Sequence, residues 1–156
     1  MKRSSWSRVL LALFFAVAAV FWILSQNVGP QKAESLSETR IYAYREWQSA
    51  GLIVEAGDRV DVRAEGSWLY TPGEYHGPEG HRYYKAPDTY PINAAPGGVL
   101  IGRIGEDGAI FLIGKGRTFM VDKPGLLYFR INDDILSDNK GYVALELLVT
   151  VPKANE

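Results

Sequence analysis

The stretch YVALELLVTV, residues 142–151, decides the fold class, because apolar side chains recur in it at every second position. One alternating set consists of Val143, Leu145, Leu147 and Val149. Successive side chains of a β-strand point to opposite faces of a sheet, so this set would line one buried face. The segment VDVRAE repeats the alternation with Val60, Val62 and Ala64. Both stretches therefore predict half-buried strands.

Further short apolar segments alternate with clusters of Gly, Pro, Asp and Asn. We predict strands in them at Gly98–Ile104, Ala109–Ile113, Arg117–Val121 and Leu126–Ile131. No stretch after Leu24 combines a helical period with capping residues. Several short strands at near-regular spacing predict an all-β domain over residues 40–152, either a sandwich or a barrel.

The start of the chain carries an unbroken apolar run, Val9–Leu24, preceded by basic residues that include Lys2 and Arg8. Its length suits either a short membrane-spanning helix or a long signal-peptide core. Basic residues before the run predict that the chain after it lies outside the cytoplasm. We expect residues 1–25 to form an N-terminal transmembrane anchor or a cleaved signal segment, and the polar residues 26–39 to form a linker.

Composition argues against several functional classes. A formal net charge of −1 does not fit a nucleic-acid partner, which requires a basic surface. The chain has no cysteine, so an exported domain must rely on its hydrophobic core rather than on disulfides. No G-x-S-x-G nucleophile motif occurs, and Glu74 and Glu79 make a weak acid–base pair because both fall in a predicted loop. We do not predict an enzyme.

The segment Ile131–Gly141, INDDILSDNKG, holds three aspartates and two asparagines but one lysine. The spacing is not that of an EF-hand, because Leu136 would occupy the first ligand position. The residues alone leave two interpretations open: a calcium site, which would relieve repulsion among the carboxylates, and a polar hairpin loop. A transition-metal site is less expected, because His76 and His81 are five positions apart with no helix to align them.

The region Tyr70–Pro96 breaks the rhythm of short strands. It contains five tyrosines, five prolines and both histidines of the chain. Disordered segments are poor in aromatic residues, so this richness indicates an ordered surface loop. Tyrosines in loops serve recognition well, although the same rings would also serve to pack the loop against the domain.

Four segments, in order, resemble the LecA-like (PA-I galactophilic lectin) family of calcium-dependent bacterial lectins. They are AGDRVDVRAEGSW (Ala56–Trp68), Tyr70 followed by GPEG (Gly77–Gly80) and Arg82, GGVLIGRIG (Gly97–Gly105), and Asn132-Asp133 with Asp138-Asn139-x-Gly141. The resemblance covers most of residues 41–151. It implies a small jelly-roll-like β-sandwich that binds Ca²⁺ between two loops.

The resemblance also implies which residues hold the ion. Matched positions assign side-chain ligands to Asp133, Asp138 and Asn139, and backbone carbonyl ligands to Tyr70 and Ile135. The loop is shorter than that of the family near Ile135, and Asp138 replaces an asparagine of the family, which adds negative charge.

In the family, adjacent sugar hydroxyls complete the calcium coordination. The resemblance therefore assigns carbohydrate contacts to Asp133, Asp138 and Asn139, with Tyr84 beside them. Tyr84 and Pro87 stand where the family has a His and a Gln that hold the primary hydroxyl of galactose. The preference for galactose is thus not expected to carry over.

These observations predict a membrane-anchored, exported, calcium-dependent carbohydrate-binding protein. Its expected location is the bacterial inner membrane, crossed once, with the C-terminal domain in the periplasm, or alternatively cleaved and secreted. The expected partners are a glycan, the lipid bilayer through residues 9–24, and other envelope proteins; no nucleic acid is expected. The alternative function is a non-catalytic scaffold or assembly subunit of the cell envelope in which calcium is only structural.

Overall fold

The computed structural model describes residues 34–151. They form nine β-strands and a 3-10 turn at Leu136–Asp138. The strands are β1 (Glu34–Tyr42), β2 (Gln48–Val54), β3 (Arg59–Thr71), β4 (Glu74–His76), β5 (Leu100–Ile104), β6 (Phe111–Leu112), β7 (Gly116–Met120), β8 (Gly125–Ile131) and β9 (Lys140–Thr150). Among these residues no helix has the length and apolar character needed to cross a membrane. The expected N-terminal helix, residues 1–25, lies outside the described residues.

Two antiparallel sheets make up the domain. The first has the order β1-β9-β3, and both β4 and β7 pair with the far edge of β3. The second has the order β2-β8-β5-β6. Side chains from both sheets form a shared core, which includes Trp68, Leu145 and Leu147 from the first sheet and Leu127 and Phe129 from the second. The prediction of an all-β sandwich is confirmed.

The alternating stretch at residues 142–151 has the predicted orientation. Val143, Leu145, Leu147 and Val149 of β9 are all buried. The central position of β9, between β1 and β3, explains why this strand carries the clearest pattern. The expected strands over residues 98–131 are present too, with ends shifted by a few residues, and the expected strand 109–113 is reduced to Phe111–Leu112.

The predicted linker, residues 26–39, extends too far, because β1 begins at Glu34. Residues Glu34–Tyr42 pair with β9 along the whole length of the strand, yet they lie at the edge of the sheet. Between residues 35 and 40 every side chain is exposed or only partly buried. An edge strand with little buried surface has no apolar alternation, so its sequence reads as a polar connection.

The aromatic loop between β4 and β5 is held by its own backbone. The Ala86 amide donates to the Ala95 carbonyl at 2.8 Å, and the Gly97 amide donates to the Tyr84 carbonyl at 3.0 Å. Asn132, which follows β8 and is fully buried, accepts from the Ile92 amide and donates to the Ile92 carbonyl, both at 2.9 Å. These contacts bring the tyrosine-rich loop against the acidic segment after β8.

Candidate functional site

The acidic segment contains a buried pair, Asp133 and Asn139. Their exposed fractions are 4% and 3%. Asp133 follows the end of β8, the 3-10 turn reverses the chain, and Asn139 directly precedes β9. Oδ2 of Asp133 accepts a hydrogen bond of 2.7 Å from Nδ2 of Asn139. Two of the three predicted side-chain ligands are therefore neighbours in a buried position.

The carbonyl oxygen of the Asn139 side chain is available as a metal ligand. Within residues 34–151 this buried Oδ1 has no hydrogen-bond partner. Buried polar atoms almost always have a hydrogen-bond partner, because burial removes their hydrogen bonds to water and destabilises the fold if no new bond replaces them. Amide and carboxylate oxygens are the donors that a hard cation such as Ca²⁺ prefers. The donor set therefore fits calcium on the evidence of this one unsatisfied atom.

Arg130 fixes the backbone of the same segment. Its Nη2 donates to the Asp133 carbonyl at 2.7 Å, and its Nη1 binds the carboxylate of Glu46. Burial lowers the pKa of the Arg130 guanidinium, while the charges of Glu46 and Asp133 act in the opposite direction. The guanidinium satisfies the Asp133 carbonyl and leaves the carboxylate of Asp133 turned toward Asn139.

Two tyrosines lie beside the Asp133 carboxylate. The hydroxyls of Tyr70 and Tyr90 are 3.0 Å apart and share a hydrogen bond. Burial raises the pKa of Tyr70 to about 12, and the negative charge of Asp133 adds to the effect. Burial is also the largest cause of a raised pKa at Tyr90, followed by hydrogen bonding to Tyr70 and the charge of Asp133. Both hydroxyls are therefore neutral at ordinary pH and do not add negative charge to the site.

Close packing explains how β3 positions Tyr70. Gly98 adopts φ +72°, and a Cβ there would lie 2.7 Å from Cγ of the Tyr70 ring. The Gly98 carbonyl accepts from Nε1 of Trp68 at 3.0 Å, and its amide donates to the Asn132 carbonyl at 2.9 Å. The glycine pair in the motif GGVLIGRIG thus lets the ring of Tyr70 reach the acidic segment.

The remaining predicted residues lie at the surface. Asp138 and Ile135 are exposed, and their roles as calcium ligands stay predictions. Tyr84 is 43% exposed, with its ring centroid 6.5 Å from that of Tyr70. Asp134, which was not assigned as a ligand, accepts a hydrogen bond of 2.6 Å from Oγ1 of Thr89. These predicted residues therefore differ from the buried pair in being accessible to solvent.

Tyr90 and Arg130 were missed by the sequence reasoning. Tyr90 is one of five tyrosines within residues 70–96, and nothing in its neighbours marks it as the partner of Tyr70. Arg130 is the next-to-last residue of β8, where a charged residue in an apolar run is a usable signal. A buried charge requires partners, and the acidic segment that follows provides one.

The structure brings together three side chains whose spacing in the sequence did not predict a shared site. Glu74, His76 and His81 each offer a ligand atom, and these atoms lie within 4.8 Å of one another. Among the residues from Glu34 to Val151, this is the one cluster of three or more His, Asp or Glu side chains at such distances. The aspartates of the acidic segment do not form such a group.

The fold is similar to that of a solved lectin domain. The structure titled "EclA N-terminal domain; PllA-like lectin" superposes with a TM-score of 0.58 and 18% sequence identity. The match covers 72% of this chain and 95% of that one. Searches found no family model and no curated protein that matches the chain. The similarity establishes that the two domains share a fold, and membership of the LecA-like family stays a prediction.

Proposed function

We propose that this protein binds carbohydrate through a calcium ion held by the acidic segment after β8. The observation that carries the proposal is the buried Oδ1 of Asn139, which has no hydrogen-bond partner within residues 34–151, in a side chain whose Nδ2 binds the Asp133 carboxylate. The fold shared with a PllA-like lectin supports the carbohydrate part of the proposal.

Each residue of the segment has a distinct part in this proposal. Asp133 and Asn139 hold the ion from the buried side, and Asp138 adds a second carboxylate from the exposed 3-10 turn. The carbonyls of Tyr70 and Ile135 complete the protein ligands assigned by the resemblance. The bound ion would supply a positive charge to which the hydroxyl oxygens of a sugar coordinate.

The rim of the site offers contacts that suit a sugar. Tyr84 exposes part of its ring, and an aromatic face packs against the apolar face of a pyranose. The hydroxyl of Thr89 and the carboxylate of Asp134 lie at the exposed edge and offer hydrogen bonds to further hydroxyls. No bond is made or broken in such a complex, in agreement with a binding protein rather than an enzyme.

A glycan array tests the proposal directly. The purified chain, stripped of metal, is applied with calcium and with a chelator. We expect binding to one group of glycans that requires calcium and is lost in Asp138→Ala. Asp122→Asn is the matched control, because it changes an exposed carboxylate that is assigned to neither the ion nor the sugar. Its calcium dependence should remain.

Two outcomes would contradict the proposal in different ways. Glycan binding that persists in chelator would separate the sugar site from the metal. Silence on the array, combined with a calcium-induced rise in the unfolding midpoint, would favour the envelope scaffold with structural calcium. A pulldown of envelope proteins with and without calcium would then identify the partner.

We also propose that residues 9–24 anchor the protein in the bacterial inner membrane, with the domain in the periplasm. The support is the apolar run and the basic residues that precede it. Protease added to intact spheroplasts should digest the domain, and the chain should sediment with membranes at its full mass. Recovery of a shortened chain in the medium would instead indicate cleavage and secretion.

A further inference from the structure

We propose that Glu74, His76 and His81 form a second metal site, which takes a divalent transition metal such as Zn²⁺ rather than calcium. Oε2 of Glu74 lies 3.5 Å from Nε2 of His76 and 3.9 Å from Nε2 of His81. Ligand atoms around a tetrahedral zinc ion, each ~2.1 Å from the metal, lie about 3.4 Å apart. Small side-chain rotations therefore suffice to close this triangle on an ion.

The local backbone explains why the two histidines meet. His76 is the last residue of β4, and the Gly80 amide then donates to the Gly77 carbonyl at 2.9 Å in a tight turn. The His81 amide donates to the Gly97 carbonyl at 2.8 Å, which holds the returning chain. As a result the two imidazole centroids lie 4.7 Å apart.

The donor chemistry selects the class of metal. Two imidazole nitrogens and one carboxylate oxygen suit zinc, copper or nickel, whereas calcium prefers oxygen alone. Three protein ligands leave a fourth position for water or another ligand. The histidine side chains are partly buried, with exposed fractions of 15% and 25%, and Glu74 is largely exposed, so the ion can enter from solvent.

Metal binding would replace two existing hydrogen bonds. Oγ1 of Thr71 lies 2.9 Å from Nε2 of His76, and this hydroxyl can rotate away. Nδ1 of His81 accepts from the Tyr83 amide at 3.2 Å. Binding through Nε2 of His81 moves the ring proton to Nδ1, and the amide of the exposed Tyr83 then bonds to water. These exchanges limit the affinity but leave no buried group unpaired.

The ion would fasten β4 to the aromatic loop. His76 packs against Tyr70 with centroids 5.8 Å apart, and His81 packs against Tyr84 at 6.2 Å. Fixing both imidazoles therefore restricts two tyrosines as well as the turn between them. Amide hydrogen exchange of residues 77–86 should slow when the metal is bound.

Calorimetric titration of zinc into the untagged, metal-free chain tests the inference. We expect one equivalent to bind, with affinity reduced by at least about tenfold in His76→Gln, His81→Gln and Glu74→Gln. Glu106→Gln, which changes an exposed carboxylate elsewhere, should bind zinc as the parent does. Cobalt should give the absorption spectrum of a four-coordinate site and lose it in the same three variants.

The result is independent of the calcium proposal. Asp138→Ala should weaken calcium binding by about tenfold or more and keep zinc binding, and His76→Gln should show the reverse. Circular dichroism confirms that each variant is folded before titration. Zinc binding that is unchanged in His76→Gln, or an absence of binding at millimolar zinc, would overturn the assignment and leave the cluster as a hydrogen-bonded surface group.

Discussion

Two polar clusters flank Tyr70, and they differ in depth and in donor chemistry. Asp133 and Asn139 are almost fully buried and offer oxygen atoms. Glu74, His76 and His81 are more accessible and offer mainly nitrogen. Burial determines how much each cluster matters for folding, and donor type determines which ion each can take. The two proposals thus place different metal chemistries at the same end of β3.

The two clusters also differ in whether their polar groups need partners within the protein. The buried cluster includes hydrogen bonds to backbone amides, so its removal exposes unpaired groups in the interior. The accessible cluster exchanges its partners with water at little cost. Substitutions at the two clusters should therefore differ strongly in their effect on the free energy of unfolding, although each should weaken the binding of its own metal.

The largest effect is expected for Asp133→Ala. The substitution removes the acceptor of the Asp134 amide and of the Asn139 side chain, at 2.8 and 2.7 Å. Unpaired buried donors cost about 1–3 kcal/mol each, so the free energy of unfolding should fall by about 2–4 kcal/mol. Urea unfolding in chelator measures it. A change below about 1 kcal/mol would show that the pair is not held as described.

Alkaline pH should weaken the fold through Tyr70. Its folded pKa is raised from 10.0 to about 12, so the folded state holds a proton that the unfolded state releases between these values. Stability is complete below pH 10 and falls on the order of 2 kcal/mol toward pH 12. Unfolding at a series of pH values measures the slope, which should be smaller in Tyr70→Phe. An equal slope in both would assign the effect elsewhere.

A smaller effect on stability is expected for His76→Gln. The imidazole lies near the surface and shares one hydrogen bond with Thr71, so the free energy of unfolding in chelator should change by less than about 1 kcal/mol. The zinc-induced rise in midpoint should nevertheless disappear. Loss of several kcal/mol without metal would mean that the cluster belongs to the folding core.

The smallest change is expected for Asp138→Ala in chelator. Asp138 is exposed, and surface substitutions usually change stability by less than about 0.5 kcal/mol. Calcium affinity, measured by titration, should nevertheless fall by about tenfold or more because a carboxylate ligand is lost. Unchanged affinity would remove Asp138 from the ligand set and require a different second carboxylate.

The central strands were predicted well from the sequence because one face of each is buried and the other is more exposed. β9 lies between β1 and β3 and buries one face, so apolar residues occupy every second position from Val143 to Val149. The edge strand β1 buries little and was read as linker, and β2 was not predicted at all. Alternation of apolar and polar residues reflects burial of one face, so it is weak in a strand that buries few side chains.

Candidate site residues were predictable only where they belong to one continuous segment of the sequence. The acidic segment is continuous, so Asp133 and Asn139 could be named from residues 131–141 and the resemblance. Glu74, His76 and His81 are also close in sequence, yet their meeting depends on the turn at Gly77–Gly80 and the contact of His81 with Gly97. Arg130 and Tyr90 act through three-dimensional contacts that spacing does not encode.

The central claim is that the buried Asn139 oxygen, together with Asp133, binds calcium. The most direct test is the unfolding of the metal-free chain with and without calcium, compared with Asn139→Ala under the same conditions. At a calcium concentration about 100 times the dissociation constant, the parent should gain about 2.7 kcal/mol, and the variant should gain nothing. A parent chain whose unfolding is indifferent to calcium at millimolar concentration, or a folded variant with the same gain, would contradict the account.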